Sequence, residues 1–130
     1  MQKSKKDLKL LFVNVCLRPG GFTKMLPVGL ACVLTYFETK GYDFTLLDID
    51  IDEYDDEYVE NYIKNNHFDI ILTGTIVTHY KWIKWFVNMA KTQQPNSKII
   101  VGNSVAGSIP KLFLEKTKGD IVVIGEGEIT

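Results

Sequence analysis

His67-Phe68-Asp69-Ile70-Ile71-Leu72-Thr73-Gly74-Thr75-Ile76-Val77-Thr78-His79 is the stretch whose reading decides the fold. It opens as a short apolar run without polar alternation, the pattern of a strand covered on both faces. It closes in a glycine and small hydroxyl residues, where a strand gives way to a loop. Leu8–Val15 upstream carries the same pattern, as do Lys98–Gly102 and Asp120–Gly125 downstream. Each run spills into a loop that opens a helix, so a ligand belongs where those loops gather.

Upstream, Leu8–Val15 leads into Cys16–Leu26, with Arg18-Pro19-Gly20-Gly21 at its centre. Adjacent proline and glycine mark a loop, and one this long between strand and helix is often functional. Pro27 suits the first turn of a helix, where its missing N–H is no loss. Leu30, Val33, Leu34 and Phe37 then repeat at helical spacing, and Gly41 suits the C-terminal end. Phe44–Leu47 reads as a second strand that ends in Asp48-Ile49-Asp50-Ile51-Asp52. Tyr58, Val59, Tyr62 and Ile63 mark the next helix, which Asn65-Asn66 stops. Downstream, Ile83, Phe86, Val87 and Ala90 share one helical face, and Pro95-Asn96 closes that unit. Lys98–Gly102 is the fourth strand, Ser108 and Pro110 open a short helix carrying Leu112 and Phe113, and Asp120–Ile124 is the fifth strand.

Five strands alternating with helices imply a parallel sheet with helices on both faces. The expected fold is α/β, a flavodoxin-like doubly wound five-stranded parallel sheet of order 2-1-3-4-5. Its switch point lies between the first and third strands, and ligands in such sheets bind beyond the carboxyl ends there.

The 130 residues suit one domain, and 45 % hydrophobic with 24 % charged residues is ordinary globular composition. A net charge of −1 gives no basic face for nucleic acid. The apolar runs are strand-length, far short of a membrane span. Leu8–Val15 holds Lys9 and Asn14 and has no cleavage site after it, so it is not read as a signal peptide. Two cysteines, Cys16 and Cys32, are too few for a disulfide framework or a metal cage, and a reducing cytoplasm fits them.

The loops exclude several chemistries. Cys16–Gly21 lacks the G-x-G-x-x-G spacing of a dinucleotide turn, and no G-x-x-x-x-G-K-[ST] exists. A phosphoacceptor needs a carboxylate at the end of the first strand, where Asn14 stands. Thr73, Thr75 and Thr78 around Gly74 offer small donors and close backbone approach at the switch point; the alternative is local hydroxyl-to-backbone bonding. Asp48, Asp50 and Asp52 alternate like oxygen ligands but lack the glycine and distant glutamate of a calcium loop, so a solvated strand end is the better reading. Asp55-Asp56-Glu57 suits a helix N-terminus. His67 reads as a surface residue and His79, beside the ligand edge, as structural rather than a ligand. Cys16 has no arranged His–Asp partner and reads as a small hydrophobe. Trp82 and Trp85 read as core and interface. Gly125-Glu126-Gly127-Glu128 lets the backbone turn tightly and approach a partner closely; the alternative is a plain turn at a domain end.

These residues, taken in order, resemble a known family: the cobalamin-binding domain found at the N-terminus of many radical S-adenosylmethionine enzymes. The resemblance runs from Leu8 to Thr130. An apolar first strand leads into Arg18-Pro19, and Leu26-Pro27-Val28-Gly29-Leu30 resembles the family's Pro-x-Gly-Leu helix opening. Gly41-Tyr42-Asp43 with Leu47-Asp48 resembles its second strand, and Asp69–Thr75 its third. Ile100-Val101-Gly102-Asn103 stands where the family has Gly-Gly, and Gly125-Glu126-Gly127-Glu128 resembles its closing signature.

The resemblance implies cobalamin at the carboxyl edge of the sheet. The nucleotide tail would pass near Thr75, Val77 and Gly102, and the corrin would rest on the loops after the first, third, fourth and fifth strands. The site residues it implies are Arg18, Pro19, Leu26, Thr73, Thr75, Val77, Gly102, Asn103, Gly125, Glu126 and Gly127, with no catalytic residue and no metal ligand among them. Two departures stand out. The D-x-H-x-x-G motif is absent and no histidine lies between Val15 and Pro27, so that loop cannot ligate cobalt. Gly102-Asn103 replaces Gly-Gly; asparagine tolerates a left-handed backbone but adds bulk where the tail passes. The C-x3-C-x2-C motif of the radical half is also absent. The expectation is therefore a domain of a longer protein, non-catalytic alone. A radical S-adenosylmethionine domain, with its 4Fe-4S cluster and S-adenosylmethionine, would follow it. The other readings are a flavin mononucleotide-binding flavodoxin-like domain and an interaction domain that kept the fold without the ligand.

Overall fold

The computed structural model describes residues 4–16, 20–21, 24, 26–74, 76 and 79–124, with no side-chain description at 104–106. The chain runs β1 (Leu10–Asn14), α1 (Val28–Thr39), β2 (Phe44–Asp48), α2 (Ile49–Asp52), α3 (Asp56–Asn65), β3 (Ile70–Gly74), α4 (Tyr80–Gln93), β4 (Lys98–Gly102), α5 (Asn103–Ser108), α6 (Pro110–Lys116) and β5 (Ile121–Val122). The five strands form one sheet of order β2-β1-β3-β4-β5, every neighbour parallel. The architecture expected from the alternation of runs is the one observed.

Register sets the two faces. Asn14 pairs with Asp48 and Gly74, and Gly74 pairs with Gly102, so the strands end together on one edge. Because side chains alternate along a strand, Leu11, Val13, Ile71, Thr73, Ile99 and Val101 share one face. The apolar members of this set are almost wholly buried against Val59 and Ile63 of α3, Ile83, Phe86 and Val87 of α4, and Phe113 of α6. At ~25 cal/mol per Å² this layer is the main source of stability. On the opposite face α1 sets Phe37 edge-on against Phe12 at 5.2 Å, and Phe12 meets Phe44 at 5.4 Å. The inward stripe of α1 falls where its spacing placed it, with Leu34 buried and Leu30, Val33 and Phe37 half-buried.

Local chemistry sets the boundaries. Pro27 precedes the first turn of α1, and Gly41 takes φ +83° just after that helix, as a glycine stop does. Asp55 caps α3 by accepting from the Tyr58 N–H at 2.8 Å, with Asp56 and Glu57 in the first turn. The reading of Asp48–Asp52 as a solvated strand end is corrected. The strand stops at Asp48, which is 8 % exposed, and the next four residues wind into α2. The cause is Asp48 itself: its carboxylate accepts from the Ile51 N–H at 3.1 Å and caps the turn. The helix α5 was not anticipated in the sequence.

The far edge is held by a buried polar network. Gln94 accepts from the Phe68 N–H at 2.9 Å and donates to the carbonyls of Ile63 and Asn66, while the Ser97 hydroxyl donates to the Phe68 carbonyl. Lys91 reaches the Ser97 carbonyl at 2.8 Å and Asp120 at 2.9 Å, and Asp120 also accepts from the Ile99 N–H. These bonds stitch the entry of β4 to that of β5, away from the carboxyl edge.

Candidate functional site: the carboxyl edge of the sheet

The edge is built from the last residues of β1, β3 and β4 and the loops beyond them. The Asn14 amide donates to the Asp48 carboxylate at 2.9 Å, and both side chains are buried. Asp48 thus ties the ends of β1 and β2 together while it caps α2. Beside them, the Thr73 hydroxyl donates to the Val13 carbonyl at 3.2 Å, within the buried face. That hydroxyl is engaged with backbone, so Thr73 clamps β3 to β1 rather than presenting a donor outward.

Gly74 and Gly102 are in register but differ in surroundings. A Cβ on Gly74 would lie 2.8 Å from the Gly102 carbonyl oxygen and 2.9 Å from its carbon, and 3.2 Å from the Asn103 Cβ. Side chains cannot enter there. A Cβ on Gly102 would meet nothing nearer than the Val123 Cβ at 3.9 Å. Asn103 takes φ +64°, the left-handed conformation that asparagine tolerates better than other residues with side chains. The edge between β3 and β4 is therefore backbone, uncharged and without bulk up to Asn103.

On the β2 side Lys24, ahead of α1, meets the end of α2. Lys24 Nζ lies 2.8 Å from Glu53 Oε1, and Glu53 takes φ +52° at the end of α2. Glu53 holds the Lys24 ammonium above its ordinary range, with partial desolvation opposing. The Lys24 nitrogen is buried while Glu53 is exposed, so the carboxylate compensates a cation taken out of water. On the α3–α4 side, His79 stacks on Trp82 at 5.7 Å and Trp82 on Phe86 at 5.2 Å, while the Trp82 Nε1–H donates to Asp56 at 2.9 Å. Burial lowers the His79 pKa, with the charge of Asp56 opposing, and its Nδ1 is buried without a hydrogen-bond partner among the described residues. His79 is thus a neutral, packed ring, in keeping with a structural histidine. His67 is 61 % exposed, 3.8 Å from Asp69.

Of the residues expected at the site, Thr73, Gly102 and Asn103 meet at the ends of β3 and β4. Leu26, just before α1, lines a groove of about 480 Å³ with Val28, Ala31 and Cys32 of that helix. A second groove of about 320 Å³, between α3 and α4, is lined by Glu60, Trp85 and Met89. Neither groove is at the β1–β3 switch point, and the topology is the better guide to the edge. Arg18, Pro19, Thr75, Val77, Gly125, Glu126 and Gly127 lie outside the described residues. Sequence reasoning read Gly74 as a point of close backbone approach but missed the Asn14–Asp48 pair as a builder of the edge, for which a polar residue closing the first strand was the available signal. Among the described residues no group of His, Cys, Asp or Glu could hold a metal ion, and no helix is long and apolar enough to cross a membrane.

A doubly wound parallel sheet with bare backbone at the carboxyl ends of β3 and β4, beside its switch point, belongs to a class of folds that take ligands over that edge. The model of the B12 binding domain family matches residues 22–130, and the chain belongs to that family. The chain is similar in fold to OxsB, a cobalamin-dependent S-adenosylmethionine radical enzyme solved with aqua-cobalamin and S-adenosylmethionine. That likeness has a TM-score of 0.76 at 19 % identity, over 93 % of this chain and 17 % of that one. It is likewise similar to TsrM from Kitasatospora setae, a radical S-adenosylmethionine methyltransferase solved with cobalamin and a [4Fe-4S] cluster. Here the TM-score is 0.72 at 16 % identity, over 95 % of this chain and 23 % of that one. An uncharacterized protein of Methanocaldococcus jannaschii is 36 % identical over 63 residues, 48 % of this chain and 12 % of that protein. The chain thus spans about a fifth of the solved chains it matches and about an eighth of the archaeal relative. Family membership makes cobalamin the cofactor and sets aside the flavin mononucleotide reading. The described residues fit such a group: a bulky ligand needs approach without side chains in the way, and Gly102 provides it.

Proposed function

We propose that the chain is the cobalamin-binding module of a longer radical S-adenosylmethionine enzyme of methyltransferase or cyclase type. The observation that carries this reading is the backbone-lined edge at Gly74 and Gly102, at the carboxyl ends of β3 and β4 beside the β1–β3 switch point of a B12 binding domain. Gly102 and Asn103 border the nucleotide tail together with Thr75 and Val77. Arg18 and Pro19 in the loop after β1, Leu26 before α1, and Gly125, Glu126 and Gly127 after β5 support the corrin. Thr73 holds β3 to β1 beneath them. Bound cobalamin supplies the cobalt chemistry, a group carrier for methyl or radical steps. This chain's residues bind and orient it, and a following domain with a 4Fe-4S cluster and S-adenosylmethionine does the rest. The module alone is not catalytic, and its compartment is the cytoplasm, where its two thiols stay reduced.

The test is a titration of the purified chain with hydroxocobalamin, followed by gel filtration with the visible spectrum recorded across the protein peak. Corrin absorbance co-eluting at micromolar protein supports the reading. A colourless protein peak defeats it and leaves an interaction domain that keeps the fold without the ligand, the alternative favoured by Asn103 standing where the family has glycine.

A further inference from the structure

Gly74 and Gly102 lie in register and continue the rows of Leu72 and Ile100 on the α1 side of the sheet, since side chains alternate along a strand. Ile70, Leu72 and Ile100 on that side are half-buried, whereas Ile71, Ile99 and Val101 on the other are wholly buried. The carboxyl end of this face is thus a ledge with a backbone floor above apolar side chains. Asn103 stands at its rim. The residue is exposed, and its Cβ lies 3.2 Å from the position a Cβ on Gly74 would take. The helix α5, which begins at Asn103, packs on β3 and β4 and holds the residue over the glycine pair.

Two further observations make the Asn103 amide the polar feature of the ledge. The Thr73 hydroxyl is turned to the Val13 carbonyl and the Asn14 amide to Asp48, so neither serves this end of the face. A φ of +64° suits glycine, so an asparagine there is locally disfavoured, and what the position gains is an amide. That amide has two N–H donors and an acceptor oxygen, capacity for more than one partner.

We infer that Asn103 selects the base that ends the nucleotide tail, and that the chain prefers a corrinoid with a purine base of the adenine type to cobalamin, whose base is dimethylbenzimidazole. This rests on the cobalamin-binding function proposed above and goes beyond it. A flat base on the ledge covers the glycine floor and takes water from the Asn103 amide. The outer edge of dimethylbenzimidazole is hydrocarbon and gives nothing in return. Adenine sets an exocyclic amino donor beside a ring-nitrogen acceptor, the pattern an asparagine amide matches with two bonds. A polar group left dry without a partner weakens binding roughly ten- to a hundredfold. Leu72, Ile100 and the glycine pair meet either base alike, so the difference falls on the amide. Cobalamin still binds, and more weakly.

The test measures binding of an adenine-based cobamide, cobalamin and cobinamide, which has no base, to the purified 130-residue chain. Equilibrium dialysis is read by corrin absorbance, with every corrinoid in its aqua form. The expected result is that the adenine-based cobamide binds at least about tenfold more tightly than cobalamin, and more tightly than cobinamide. In Asn103→Gly, which suits that φ and should melt in urea no earlier than the parent, the preference should shrink to less than about threefold. Equal binding of the adenine-based cobamide and cobalamin by the parent chain overturns this inference and leaves the function standing. So does a preference that persists unchanged in Asn103→Gly. Cobinamide binding as tightly as the adenine-based cobamide also overturns it, by placing the base away from the ledge. No binding of any of the three removes the function, and this inference with it.

Discussion

Placing a methyl group on Gly74 separates the geometry of the edge from its mere glycine content. In Gly74→Ala the new Cβ lies 2.8 Å from the Gly102 carbonyl oxygen and 2.9 Å from its carbon. Ordinary contacts between carbon atoms lie at ~3.5–4.0 Å, so the overlap is several tenths of an ångström. Both of the nearest atoms are backbone, held in the β3–β4 ladder, and no rotamer change relieves the clash. Overpacking of this kind costs about 1–3 kcal/mol. Alanine offsets part of it, roughly 0.4–1 kcal/mol, by restricting the unfolded chain. The net loss is about 1–2 kcal/mol, which for a urea slope of about 2 kcal/mol per M moves the midpoint down by about 0.5–1 M. Gly102→Ala is the internal control. Its Cβ meets only Val123 at 3.9 Å and its φ of −121° suits any residue, so its midpoint should stay within about 0.3 M of the parent's. The assay is a urea melt followed by fluorescence of Trp82 and Trp85. Equal midpoints for the two variants would refute the reasoning.

Three further expectations concern the residues around the edge and the opposite one. Asp48→Ala removes the α2 cap and strands the buried Asn14 amide, and should cost about 2–4 kcal/mol in a urea melt, whereas Asp48→Asn keeps an acceptor and should cost less. His79 has its pKa lowered by burial, so the unfolded chain binds the extra proton first: the stability it contributes is whole above its ordinary 6.5 and is lost as pH falls below that value, and His79→Phe should flatten that limb of the stability–pH curve. Asp120 is desolvated, which raises its pKa, yet the bonds from Lys91 and the Ile99 N–H outweigh this and leave it lowered. Its contribution is present above its ordinary 3.8 and is lost as pH falls through the lower folded value, and Asp120→Asn should remove that acid-limb slope.

The strands and their order were legible because uninterrupted apolar runs such as Asp69–Gly74 admit few readings, and the parallel alternation leaves few topologies. Asp48–Asp52 misled because Asp-Ile-Asp-Ile-Asp has the period of a strand, while a single side-chain bond from Asp48 to the Ile51 N–H decides for a helical turn. The helix α5 carries no apolar stripe to announce it. The unequal faces were illegible for a related reason: Ile70 and Leu72 look as apolar as Ile71, and a run of residues cannot say what covers each side. The tolerance of asparagine for positive φ, read from Gly102-Asn103, is realised at +64°. The crowding at Gly74 was not legible, because it depends on the register between β3 and β4.

Hydrogen exchange of the chain with and without hydroxocobalamin tests the central claim most directly. The account predicts slowed exchange at the ends of β3 and β4, in peptides covering Gly74 and Gly102–Asn103, with the Gln94–Ser97 network at the far edge unchanged. Cobalamin that binds while leaving Gly74 and Gly102–Asn103 as fast as before, or that protects only the far edge, contradicts it.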